Sequence, residues 1–367
     1  MLGLFMDEWT DFWNGKTVLV TGHTGFKGSW LSLWLQQMQS KVIGFSLEPP
    51  TTPNLFTDAS VAQNMVDIRG DVRNLPALQA AIELHRPEII FHMAAQPLVR
   101  YSYRHPVETY MTNVMGTIHM LEAARQVSSM CAIINVTTDK CYENKEWEWG
   151  YREHDQLGGH DPYSGSKACA ELASASYRRS FLMKPQHHPI GLATARAGNV
   201  IGGGDWTEGR LLPDLMKHCQ MNQTVELRNP HAIRSWQHVL EPLFGYLLLA
   251  QKLYEKPNEY SEAWNFGSHE QDMLTVAEVA TRVFTYWDRE IKWTSLGEDT
   301  LHETIHLRLD SSKARKRLGW KPRWNVDQAL QETVEWYRSY FARLKSIREM
   351  TLEQIEQFLF CYDRSKN

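Results

Sequence analysis

Short runs of apolar and β-branched residues recur along the first 200 residues, each followed by a polar break and then by apolar positions at helical spacing. "KTVLVTG" (16–22) gives way at once to glycines, and "FKGSWLSLWLQQMQS" continues with helical periodicity, so the opening reads strand, turn, helix. "KVIGFSL" (41–47), "EIIFHMAA" (88–95), "CAIINVTT" (131–138) and "IGLATARAGNV" (190–200) are further near-continuous apolar strands, separated by stretches that can each hold a helix. Strands apolar on both faces must be covered on both, which predicts an α/β fold with a doubly wound parallel sheet of Rossmann type. After residue 200 the texture changes: "GGGDW", several prolines, a short strand "TVELRN" and the helices "TVAEVATRVFTYW" and "SSKARKRLGW" predict a smaller mixed α/β lobe toward the C-terminus. The expected division is 1–199 for the sheet domain, with 234–262 returning to it through the strand "RSWQHV" and the helix after it. The second lobe then takes 200–233 and 263–367.

A chain of 367 residues has room for two lobes, and 43% apolar with 22% charged residues is ordinary for a soluble protein. A net charge of −4, with no basic stripe, gives no reason to expect nucleic acid as a partner. The five cysteines (Cys131, Cys141, Cys169, Cys219, Cys361) are odd in number and scattered, which fits a reducing cytoplasm and implies neither a disulfide framework nor a metal site. Apolar runs such as "LFGYLLLA" fall far short of the ~20 residues of a membrane helix. The start "MLGLFMDEWTDFW" carries acids and no basic region, so it fails as a secretory signal. The arm 1–14 reads as a short amphipathic segment, structural or an oligomer contact.

Gly22, Gly25 and Gly28 form G-x-x-G-x-x-G between the first strand and the first helix. Such glycines permit a tight turn, close approach to a pyrophosphate and an open helix N-terminus that favours negative charge. Glycine also punctuates ordinary turns, and it is the strand–turn–helix context that points to a dinucleotide. Asp71, in "RGDVRN", can accept from an adenine amino group or serve as a plain turn residue. Between Gly44 and Asp58 there is no Arg or Lys to pair a ribose 2′-phosphate, while Ser46 and Glu48 suit a free 2′-hydroxyl, so the expected cofactor is NAD rather than NADP.

"YSGSK" sets Tyr163 and Lys167 four apart at the start of a helical stretch, on one face. An ammonium beside a phenol favours the phenolate, lowering its pKa from about 10 toward the working range. "TTDKCY" (137–142) ends a strand and puts Asp139 beside Lys140; the bland reading of that pair is a surface ion pair.

"GHTGFKGSWL", "FHMAAQPLVR", "TNVMGT", "TTDKCYENKEW", "DPYSGSK" and "AGNVIGGGDW", with the later "RNPHAIRSWQHV" and "LGWKPRW", together resemble the extended short-chain dehydrogenase/reductases. Within them they are similar to the nucleotide-sugar 4,6-dehydratases, most closely to those acting on CDP-glucose. The resemblance implies tightly bound NAD held by Gly22, Thr24, Gly25, Phe26, Lys27, Gly28, Ser46, Asp71, Val72, Ala94, Ala95, Gln96, Asn113, Tyr163 and Lys167. It implies that Thr138 binds the sugar's 4-hydroxyl, that Tyr163 is its base and that Lys167 holds Tyr163 and the nicotinamide ribose. NAD takes a hydride from C4 and returns it to C6 after water is lost across C5–C6, giving a 4-keto-6-deoxy sugar for lipopolysaccharide O-antigen biosynthesis.

Asp139 is then the acid for the leaving 6-hydroxyl. Most relatives have Asp-Glu after the threonine, with Glu as the C5 base; here Lys140 takes that place, and must be depressed by burial or nearby cations to act as a base, or else stabilises the enolate. Implied substrate contacts are Thr138, Asn199, Arg210, Arg234 and Arg308 in a nucleotide-sugar-binding second lobe. Rival readings are dehydration of dTDP- or GDP-glucose, a C4 epimerase lacking the acid–base step, and a non-catalytic NAD-sensing protein. "PVETYMTNVMGTIHMLEAARQV" and the helix from 163 resemble those of a four-helix homodimer interface, with a tetramer as a further option. "GGGDW" reads as a flexible connector, "ENKEWEWGYREHD" (143–155) as a pocket cap or an ordered surface loop, and His187–His188 as a solvated loop without metal partners.

Overall fold

The computed structural model describes residues 9–183, 189–289, 292–295 and 306–364. Among them, β1 (Thr17–Thr21), β2 (Lys41–Ser46), β3 (Val66–Arg69), β4 (Ile89–His92), β5 (Ala132–Val136), β6 (Gly191–Ala197) and, far down the chain, β10 (Ala263–Phe266) form one seven-stranded sheet in the order β10-β6-β5-β4-β1-β2-β3. Every pairing in it is parallel. Alternate residues of each strand feed two separate cores. Val18, Val20, Ile89, Phe91, Ala132 and Ile134 face one side, under α1 (Phe26–Gln37) and α6 (Leu240–Glu255). Leu19, Ile90 and Ile133 face the other, under α2 (Leu75–His85) and α3, which runs through Pro106–Tyr110, Met111–Met115 and Gly116–Ala124. The expected doubly wound sheet is therefore present.

α4 (Pro162–Tyr177) starts where its sequence says it should: Asp161 caps it by accepting from the Ser164 N–H at 3.0 Å, and Pro162 occupies the first turn. Inside, Glu171 of α4 meets Arg196 of β6 at 2.8 Å with both side chains 3% exposed. Glu171 also accepts from the hydroxyls of Thr137 and Thr194, and Arg196 donates to Tyr142 Oη at 2.6 Å. The helix is thereby tied to the ends of β5 and β6.

Two boundaries differ from expectation. The strand "RSWQHV" does not return to the main sheet. As β9 (Ile233–His238) it lies between β7 (Asn199–Ile201), to which it is parallel, and β11 (Met273–Thr275), to which it is antiparallel. The helix after it, α6, does return, and so does β10, which the sequence reading assigned to the second lobe. The run 190–200 is interrupted at Gly198, so its tail leaves the sheet, and β10 pairs along the outer edge of β6 with Trp264, Asn265 and Phe266 fully buried. Outside the two sheets lie a two-stranded ladder of β8 (Val225–Leu227) and β12 (Trp293–Ser295) and the helices α5 (Leu211–Met221), α7 (Val276–Trp287), α8 (Val326–Ala342) and α9 (Ile347–Arg364).

"GGGDW" is not a flexible connector. A Cβ on Gly203 would lie 2.0 Å from the Trp336 ring, Gly204 holds φ +79°, and Trp206 is buried against Tyr337 and Tyr340. The glycines are there because side chains press on the backbone. Trp9 and Trp13 of the N-terminal arm are buried, Trp9 edge-on to Trp34 and Phe244, so this part of the arm serves the fold. The 143–155 loop is an ordered surface loop: Trp147 stacks on Tyr151 and Tyr151 on Tyr142. His187–His188 lie outside the described residues.

Candidate active site

The strand order reverses at β1 and β4, and the crevice beyond their carboxyl ends is where a doubly wound sheet binds ligands. Gly22 ends β1 with φ +77°, and a Cβ there would sit 2.8 Å from Ala94 N. A Cβ on Gly28 would lie 2.1 Å from Gly22 O, so α1 packs directly on the turn. Gly25 differs: its Cβ would meet nothing nearer than 3.4 Å, and as the N-cap of α1 it offers no side chain to the helix's first N–H groups. The result is an open cradle with donors at a positive helix end, which fits a dinucleotide's pyrophosphate.

Several predicted cofactor contacts turn out to build the walls of this crevice. Thr24 Oγ1 lies 2.9 Å from Ser46 Oγ and donates to Leu47 O, bracing the end of β2. Asn113 exchanges hydrogen bonds with the Gln96 backbone and donates to Ser166 Oγ, while the Gln96 side chain links Thr109 and the Leu98 N–H. Val72 packs under Gly116, and the Ala94 N–H donates to Thr21 Oγ1. Asp71 is gripped by Arg73, whose hydrogen bonds hold its carboxyl below the usual range. Phe26, Lys27 and Ala95 line the open cleft itself.

That cleft, about 810 Å³, is walled by the strand ends of the main sheet and by residues 197–236. Thr138, Asp139, Lys140, Tyr163 and Lys167 come from the sheet side; Asn199, Arg210 and Arg234 face them. Thr138 caps the short turn 139–141, accepting from the Lys140 N–H at 3.3 Å and donating to Asp139 Oδ1 at 3.0 Å, in the cleft that Tyr163 also lines. Burial raises the Asp139 carboxyl despite Lys140, Thr138 and Arg234 pulling the other way. Lysines and arginines outnumber carboxylates eight to three along the lining, which suits a multiply anionic ligand.

The expectation that Lys167 lowers the Tyr163 pKa is not met. Burial pushes the phenol up to about 12, with only partial relief from Thr138. Lys167 is itself pushed down to about 8 by burial, and its Nζ donates to Val136 O at 3.1 Å. Lys140 is half-buried and lines the cleft together with Lys27, Lys167, Arg210 and Arg234. Arg308 does not line the cleft; its carbonyl accepts from the Tyr151 N–H.

Sequence reasoning missed Asp205, which pairs Arg210 at 2.9 Å in the cleft, and the place of Lys27 beside it. Lys27, in the cleft lining, donates to Tyr246 Oη at 3.3 Å, and burial, then Arg210 and Lys167, push it down to about 7. Two lysines near the glycine turn and the helix start were visible in the sequence; their convergence was not.

A family model described as GDP-mannose 4,6 dehydratase matches residues 19–333. The chain belongs to the GDP-mannose 4,6-dehydratase family. It is thus a nucleotide-sugar dehydratase-type member of the extended short-chain dehydrogenase/reductases. Among members of this dehydratase family, CDP-glucose 4,6-dehydratase of Salmonella typhimurium is 51% identical over 332 residues, covering 90% of this chain and 92% of the relative. An epimerase structure from Methanothermobacter thermautotrophicus superposes with TM-score 0.79 at 21% identity, covering 93% of this chain and 97% of that one. The NAD complex of dTDP-glucose 4,6-dehydratase from Bacillus anthracis gives TM-score 0.73 at 23% identity, covering 89% of this chain and 97% of that one. Both share the fold of this chain.

Lys27 in this family member generates a pH prediction. Its folded pKa lies below its unfolded one, so the penalty for burying the charge is fully present below pH 7 and is released as pH rises from about 7 toward about 10.5. Lys27→Met is expected to stabilise the nucleotide-free protein by roughly 1–3 kcal/mol at pH 6, allowing for screening by water in the cleft, with the gain shrinking toward pH 10. Urea unfolding across that range checks it; a gain independent of pH contradicts it.

Proposed function

We propose that this protein is a CDP-glucose 4,6-dehydratase: a hydro-lyase that removes water from CDP-glucose to give CDP-4-keto-6-deoxyglucose for deoxysugar biosynthesis. The observation that carries the chemistry is Asp139, buried, bonded to Thr138 and adjoining Lys140 in the cleft that holds Tyr163 and Lys167. The 51% identity to the Salmonella enzyme supports the choice of CDP-glucose. NAD, when bound on the glycine cradle, supplies a hydride acceptor and donor and a positively charged ring.

Thr138 and Tyr163 hold the sugar's 4-hydroxyl, and Tyr163 takes its proton. Without ligand the phenol keeps its own proton, so it becomes a base only when the loaded cleft adds positive charge beside it. Lys167, fixed by the Val136 carbonyl, supplies part of that charge and orients the phenol's surroundings. Asp139, whose carboxyl burial raises, retains a proton longer than an exposed aspartate and delivers it to the departing 6-hydroxyl. Lys140, half-buried in the cleft beside Asp139, stabilises the enolate that forms when the C5 proton leaves, and that proton passes to a water in the cleft. Arg210, steered by Asp205, and Arg234 bind the diphosphate, and Asn199 the sugar or diphosphate.

The same reading includes a homodimer in a reducing cytoplasm. Val107, Tyr110 and Met111 of α3 and Leu172 of α4 are large apolar residues left exposed on two adjacent helices, which supports a four-helix contact between copies. The four cysteines whose side chains are described are all free. No helix among the described residues is long and apolar enough to cross a membrane.

Two outcomes follow. Asp139→Asn is expected to form ketosugar product from CDP-glucose about 10²–10⁴-fold more slowly than the parent while binding CDP with similar affinity; an unchanged rate removes Asp139 from the elimination, and a parent product of unchanged mass points instead to epimerisation. In sedimentation, the parent is expected to run as a dimer or larger and Leu172→Asp with Val107→Asp as a monomer; a monomeric parent contradicts the interface.

A further inference from the structure

The adenosine ribose of a bound dinucleotide falls at the end of β2, where a carboxylate selects a free 2′-hydroxyl and an arginine selects a 2′-phosphate. The stretch from Gly44 to Asp58 contains no base, yet the fold delivers one from the next strand. β3 runs parallel to β2 with Arg69 opposite Ser46. Its guanidinium reaches over the end of β2: Nη1 donates to Leu47 O at 3.2 Å, Nη2 pairs with Asp67 Oδ2 at 2.9 Å, and Nε lies 3.6 Å from Glu48 Oε1. The guanidinium also lies over the Phe56 ring, 4.9 Å from its centroid. Leu47 O is the same atom that accepts from Thr24 of the glycine turn, and Asp67 is bonded to His23 of that turn at 2.8 Å. Arg69 therefore stands beside the cradle that would hold the pyrophosphate, on the side where the ribose must lie.

We infer that Arg69 is the residue facing the adenosine ribose, and that Glu48 and Asp67 enforce a preference for a free 2′-hydroxyl by occupying its guanidinium. A planar fork of this kind binds phosphate in preference to a hydroxyl when its donors are open. Here two carboxylates share it, and a 2′-phosphate brought to the same place would meet both. The two guards differ in strength. Asp67 is close and partly buried, whereas the Glu48 side chain is 77% exposed and more distant, so Glu48 is the one whose removal opens the fork without disturbing the sheet. The preference for NAD then depends on two acids that neutralise a base, rather than on the lack of one.

This inference rests on the dinucleotide reading of the glycine cradle, and the test separates the two. Calorimetric titration of the full chain with ADP-ribose and with 2′-phospho-ADP-ribose reads binding without turnover. The parent is expected to bind ADP-ribose at least tenfold more tightly. Glu48→Gln is expected to narrow that ratio about tenfold through tighter binding of the phosphorylated ligand, and adding Arg69→Gln is expected to abolish the gain. A ratio unmoved by Glu48→Gln, or a gain that survives loss of Arg69, overturns the inference while ADP-ribose binding keeps the cradle's assignment. Failure of the parent to bind either ligand overturns both.

Discussion

The buried pair of Glu171 and Arg196 is the constraint on which the rest of the site depends. Burial alone would raise the Glu171 carboxyl, but Arg196 and the hydroxyls of Thr137 and Thr194 hold it below its ordinary range, so both charges persist in the interior. Removing one partner from such a pair costs on the order of 3–5 kcal/mol, because the other is left charged and uncompensated. The pair fixes three things at once: the carboxyl end of β5, from which Thr138, Asp139 and Lys140 project; the neighbouring strand β6; and α4, which carries Tyr163 and Lys167. The Glu171 charge also opposes part of the burial that depresses Lys167 one helical turn away.

With that frame rigid, the chemistry is set by how the cleft distributes charge. Burial leaves the Tyr163 phenol and the Asp139 carboxyl inclined to keep their protons, while it inclines Lys27 and Lys167 to lose theirs. A cleft lined by an excess of cations is unfavourable until an anionic ligand fills it. Two diphosphates, one on the glycine cradle and one between Arg210 and Arg234, would offset that excess and restore full charge to the lysines. Binding and activation are thus coupled through the same electrostatics.

Much of the fold and part of the site were legible in the sequence. Strands apolar on both faces announce a covered parallel sheet, and the four-residue spacing of Tyr163 and Lys167 puts both on one helix face, where they line the cleft with Thr138. Partner choice is what local pattern does not carry. "RSWQHV" reads as a strand whether it joins the large sheet or the small one, and "AWNF" is too short to announce an edge strand, although it closes the main sheet. Arg69 lies outside the segment where a base was sought because the adjacency of β2 and β3, not sequence distance, brings it there. What the glycines of "GGGDW" accommodate, Trp336 and Leu55, lies far away in the chain, beyond the reach of local pattern. The Tyr163 shift was misjudged because spacing on a helix says nothing of depth, and depth dominates.

The most direct test of dehydration by internal hydride transfer is the fate of a deuterium placed at C4 of CDP-glucose, followed by mass spectrometry and proton NMR of the product. A product lighter by one water and carrying the deuterium at C6 is the result this account requires. Deuterium retained at C4, or lost to solvent, or a product of unchanged mass would contradict it.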